Sequence, residues 1–151
     1  MDLFFRFRLK DVYLIKTDSL GDSLWTKTYG GGSVDVGRSI QLTSDGGYII
    51  VGETQSFSLG QEDVLLIKTD SLGDTIWTKT FGGTESDRGW SVQQTTDGGY
   101  IIAGDTYSFS SGLNDVYLIK TDPSGNVIGI EEKDIAKFKV AITKLHQNQP
   151  K

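Results

Sequence analysis

Apolar residues along this chain come in short dense runs, not at helical spacing. Residues 12–15, 64–67 and 116–119 are each four apolar side chains in a row, preceded by aspartate and followed by Lys-Thr-Asp. Such a run, bounded by turn residues, predicts a strand covered on both faces. In the copy that opens at Asp63, strands are expected over 64–69, 75–81, 90–95 and 100–105. The intervening residues 70–74 and 97–99 are rich in Asp and Gly, the turn formers. Asp97-Gly98-Gly99 predicts a tight hairpin with both glycines in the left-handed region of a primed turn. Loops over 82–89 and 106–114 should emerge on one rim, because they flank the same strand ends.

Asp11, Asp63 and Asp115 begin three copies of this pattern about 52 residues apart, the hallmark of a solenoid, propeller or array. Trp25 matches Trp77, and Gly46-Gly47-Tyr48 matches Gly98-Gly99-Tyr100. Four antiparallel strands per copy, apolar on both faces, predict an all-β chain of β-propeller blades. Counted blade by blade, 1–10 is a ragged start and 11–36 is the outer half of a first blade. Residues 37–83 make a full blade, and 84–132 a second whose last strand is degraded, with Gly129 where the other copies carry Trp25 and Trp77. Residues 133–151 form a tail in which 138–143 alternates like a strand. Propellers close with about four to eight blades, so this chain is an incomplete ring. It is expected to close by self-association or to belong to a longer parent.

Charge and composition narrow the partners. With 23% charged and 36% apolar residues, the chain is globular rather than disordered. A net charge of −5 and a pI near 4.8, with no basic cluster, argue against nucleic acid and anionic membranes. No run approaches the ~20 apolar residues of a membrane helix, and 1–10 lacks the cleavage signature of a signal peptide. There is no cysteine and one histidine, His146, so disulfides, thiolate metal sites and a histidine-based triad within one chain are excluded. No cofactor or metal is called for.

The ordered run WTKTYGG, SIQLTSDGGYIIVGETQSF and DVYLIKTD resembles bacterial secreted β-propeller repeats of the kind that precede a type IX secretion sorting domain. The resemblance spans about 11–130, and Leu145-His146-Gln147-Asn148-Gln149-Pro150 is similar to the opening of that sorting domain. It implies a secreted or cell-surface parent protein acting as a non-catalytic scaffold or binding module. Residues 69–77 also resemble the sialidase Asp-box with altered spacing; in that family the box is a structural turn.

Three chemical readings compete. The aspartates of 70–74 could cluster oxygens around calcium, but aspartate more commonly caps its own turn. Asp35 with Asp87, or Glu53 with Asp105, could serve as the carboxyl pair of a sialidase-like glycosidase, although fold alone implies no activity. The third reading starts from divergence between near-identical copies. Trp90 stands where Arg38 stands in the preceding copy, Arg88 where Val36 stands, and Tyr107 where Gln55 stands. Arg38, Arg88, Trp90 and Tyr107 are therefore the candidate ligand-binding rim, with the aromatic and guanidinium groups typical of contact hot spots. A glycan or a surface protein is the candidate ligand; a purely structural, self-assembling role is the alternative. Trp25 and Trp77 are assigned to packing between neighbouring blades.

Overall fold

A computed structural model describes residues 10–128. The degraded strand position at Gly129, the alternating stretch 138–143, the 145–150 motif and residues 1–9 lie outside the described residues. Nine strands and no helix occur among those described: β1 Val12–Thr17, β2 Ser23–Tyr29, β3 Asp35–Leu42, β4 Tyr48–Thr54, β5 Asp63–Thr69, β6 Thr75–Phe81, β7 Asp87–Gln94, β8 Tyr100–Thr106 and β9 Asp115–Thr121. The chain is all-β. Every pairing is antiparallel, in sheets ordered β1-β2, β3-β4-β5-β6 and β7-β8-β9. An isolated bridge from Thr121 to Val127 stands where Thr69 pairs with Thr75. The β2–β3 and β6–β7 connections each pass from one sheet to the next.

The middle sheet is apolar on both sides because its strands alternate between two neighbours. Ile49, Val51, Val64 and Leu66 pack with Val92, Tyr100, Ile102 and Ile119 of the following sheet. Ile50, Leu65 and Ile67 pack with Val12 and Tyr29 of the preceding one. This period-two division is what the unbroken apolar runs encode. Trp25 and Trp77 do seat between sheets: a side chain on Gly73 would meet the Trp25 ring at 2.9 Å, and one on Gly125 the Trp77 ring at 2.9 Å. Each indole also meets a tyrosine edge-on, Trp25 with Tyr48 and Trp77 with Tyr100.

The hairpins use a different turn from the primed type expected. In all five, one glycine alone is left-handed: Gly21, Gly46, Gly73, Gly98 and Gly125, with φ between 78° and 92°. In the Thr95–Gly99 turn, Gly98 N–H donates to Thr95 O and Thr95 N–H to Gly99 O, both at 2.9 Å. That is a three-residue loop with a left-handed glycine at its bulge. Gly99 is required for another reason: a Cβ there would collide with the Thr121 carbonyl and approach Lys120 Nζ to 2.8 Å.

One difference between the sheet junctions makes a direct prediction. The Tyr29 hydroxyl, its pKa pushed up to about 12 chiefly by burial, donates to Gly73 O at 2.8 Å. At the next junction Phe81 occupies the equivalent position, facing the equivalent turn at Gly125. Phe81→Tyr should supply the missing bond and stabilise by about 0.5–1.5 kcal/mol, read as a higher urea midpoint. An unchanged or lowered midpoint would show that the two junctions are not equivalent.

Candidate functional site

The first strands of the second and third sheets, β3 and β7, each carry a β-bulge near their start. Pairing of β3 with β4 slips between Gly37 and Ser39, and pairing of β7 with β8 slips between Gly89 and Ser91. The residues left unpaired are Arg38 and Trp90. Bulges re-aim a side chain out of the alternating pattern, and here they bring these two together across neighbouring sheets. The Arg38 guanidinium lies 4.9 Å from the Trp90 ring centroid, within cation–π range. Glycine opposite each bulge makes this possible, since a Cβ on Gly52 would collide with Val36 O and one on Gly104 with Arg88 O.

Carboxylates on the paired strands hold both groups. Arg38 donates to Glu53 through Nε at 3.1 Å and Nη2 at 2.5 Å, a bidentate geometry that holds the guanidinium above its ordinary pKa, mainly through those bonds. In the next copy the same cross-strand pair becomes Trp90 and Asp105, with Nε1 donating to Oδ1 at 2.6 Å. Asn114 Nδ2 donates to the other Asp105 oxygen at 3.2 Å. The swap of Arg–Glu for Trp–Asp keeps one hydrogen-bonded pair per bulge while exchanging the exposed group. Arg88 sits beside them on β7, bonding Glu62 at 3.0 Å through Nε, with Nη2 at 2.9 Å. Burial works to raise Glu62, yet the Arg88 and Gln55 bonds prevail and hold it below the usual carboxylate range.

Of the four rim residues read from the sequence, Arg38 and Trp90 stack on each other, and Arg88 lies two residues before Trp90 on β7. Tyr107 follows β8; its N–H bonds Ser86 O at 2.9 Å and its ring is exposed. The 82–89 and 106–114 loops do share a rim: Glu85 N–H donates to Ser108 Oγ at 3.1 Å. Strand β7 starts at Asp87, three residues earlier than expected, because Asp87 and Gly89 have loop composition yet pair with Thr106 and Gly104.

Asp35 and Asp87 are not placed for substrate. Both are fully enclosed. Asp35 accepts from Thr54 Oγ1, from Ser56 Oγ at 2.6 Å and from Gly31 N–H at 2.8 Å. Asp87 repeats this with Thr106, with Ser108 at 2.5 Å and with Gly83 N–H at 2.9 Å. These carboxylates tie the loop before β3 or β7 to the loop after β4 or β8. The recurring Thr-x-Ser at 54–56 and 106–108 is the sequence signal for that role. Asp70 likewise serves its turn, accepting from Leu72 and Asp74 N–H at 2.8 and 2.9 Å. Asp74 pairs with Lys27 of the preceding sheet at 2.6 Å.

Asp63 is the exception, a buried carboxyl the sequence did not single out. Its Oδ2 accepts from Leu59 N–H at 3.2 Å, and its Oδ1 has no partner. Burial, then the nearby Asp87, push its pKa up against the opposing Leu59 bond. A carboxyl raised in the fold contributes fully below its unfolded pKa, and that contribution is lost as pH rises through the folded value. Asp63→Asn should therefore stabilise the protein at neutral pH, by roughly 1 kcal/mol or more. The gain should shrink in acid, where the native carboxyl is protonated. Melting temperatures of both proteins across pH test this; a gain independent of pH, or a loss at pH 7, would refute it.

No known family profile matches the chain. Among curated proteins it is similar to the regulatory protein FlaEY of Caulobacter vibrioides, 27% identical over 128 residues. That match covers 76% of this chain and 13% of the FlaEY length.

Proposed function

We propose that this chain is a run of β-propeller blades serving as a non-catalytic binding scaffold in a secreted or surface protein. Its contact surface is the rim formed by Arg38, Arg88, Trp90 and Tyr107. The observation that carries this reading is the stacked Arg38–Trp90 pair. Both are bulge residues, both are locked by a carboxylate, and Trp90 remains 46% exposed. An exposed indole already fixed in place loses little rotamer freedom on binding. Carboxylates and guanidinium groups around a flat apolar ring suit a sugar, whose ring stacks on the indole while its hydroxyls bond the polar groups. Three consecutive antiparallel sheets, each covering the next with the same side-chain register, support the propeller assignment.

The test is a panel of immobilised oligosaccharides probed with the native chain, Trp90→Ala and Arg38→Ala. Binding by the native chain that falls at least about tenfold in Trp90→Ala, roughly 1.4 kcal/mol, supports the reading. Binding indifferent to both substitutions, or none across the panel, overturns the glycan assignment.

A further inference from the structure

We infer that this chain assembles head to tail with a second copy: the outward face of β8 and β9 in one molecule receives the outward face of β1 in the next. The inference rests on the repeated-sheet reading above and names what supplies the further sheets.

The internal junctions are the template. Strand β5 sends Val64 and Leu66 towards the β7–β9 sheet and Leu65 and Ile67 towards β1 and β2. Shifting by one copy carries the first pair onto Val116 and Leu118, and the second onto Tyr13 and Ile15. Within the molecule, residues of the first kind (Val12 and Leu14) meet residues of the second kind (Leu65 and Ile67). Among the described residues, the two halves of an interface already built internally are therefore displayed unpaired. Val116 is 85% exposed, Leu118 46%, Tyr13 61% and Ile15 49%. Contiguous apolar surface of this kind marks an interaction site.

The occupant follows from continuity with the internal junctions. No two like faces meet anywhere in the described residues, whereas unlike faces meet twice. A contact between unlike faces is heterologous, and it closes into a ring or runs on as an open array depending on the rotation per sheet.

Two variants test the polarity directly. Val116→Lys blocks one face and Ile15→Lys the other; both sites are exposed, so folding should change little, checked by far-UV circular dichroism and melting. Light scattering on a sizing column then reads absolute mass. The native protein should exceed one chain in mass and grow with concentration. Each variant alone should be a monomer, and an equal mixture should give one species of twice the chain mass. A native monomer at every concentration, a dimer of either variant alone, or a mixture that stays monomeric overturns the inference. Glycan binding is scored separately. Assembly without binding would refute the ligand reading alone, and binding by a monomer would refute the assembly alone.

Discussion

Asp87→Ala should cost roughly 3–5 kcal/mol, because it strands three hydrogen-bond donors in a closed site. The Thr106 hydroxyl, the Ser108 hydroxyl and the Gly83 N–H all converge on this one carboxylate. With no exposed surface on Asp87, water cannot take its place without opening the junction between the two loops. Total stabilities of small domains are about 5–15 kcal/mol, so the loss would show as a large fall in the urea midpoint. Asp35→Ala should behave alike, since the same three partners recur around it. Asp22, exposed and without a side-chain acceptor role in its turn, is the control; Asp22→Ala should stay within about 0.5 kcal/mol. A cost below about 1 kcal/mol for Asp87→Ala would mean that the carboxylate is not the strut described, since even one stranded donor costs that much.

Gly104→Ala should be comparably severe, at about 3 kcal/mol or more, through backbone collision rather than lost bonding. The added methyl would strike the Arg88 carbonyl, directly beside the bulge that turns Trp90 outward. Relief requires β7 and β8 to separate, which pulls Trp90 Nε1 away from Asp105 and the indole away from Arg38. The substitution is thus expected to weaken oligosaccharide binding more than its stability loss alone explains. Gly32, with nothing within 4 Å of an added Cβ, offers the comparison; Gly32→Ala should leave both midpoint and binding near native. Full retention of binding by folded Gly104→Ala would detach the bulge from the site.

The strand order was legible because copies about 52 residues apart repeat the same apolar runs. The middle run, 64–67, does lie between two sheets, whereas 12–15 and 116–119 each keep one face exposed among the described residues. Turn chemistry was only half legible. Asp-Gly-Gly announced the turns at 45–47 and 97–99, but nothing local distinguishes a glycine needed for its angle, such as Gly98, from one needed for clearance, such as Gly99. The bulges were invisible, since Gly37-Arg38-Ser39 and Gly89-Trp90-Ser91 read as ordinary strand or loop. Comparison of copies found Arg38 and Trp90 by their difference, yet could not place them in contact. Equivalent positions one copy apart become neighbours only once the sheets stack. Repetition between copies also offered Asp35 and Asp87 as one possible carboxyl pair for glycoside hydrolysis. Recurrence instead reflected a joint that every copy needs, and the accompanying Thr and Ser residues were the overlooked sign. Asp63 was missed because its environment depends on the Gly82 turn and on Asp87, neither of which is adjacent in sequence.

The sequence unit and the sheet are out of phase. A unit opening at Asp63 finishes the sheet begun at β3 and then starts the one that β9 continues. A duplication event that copies one such unit therefore inserts a complete new layer while leaving the seam on either side chemically identical. Arrays of this kind can lengthen or shorten over evolutionary time without inventing a new contact. Each duplication also supplies one more bulge position free to diverge, and Arg38 and Trp90 already differ at that position.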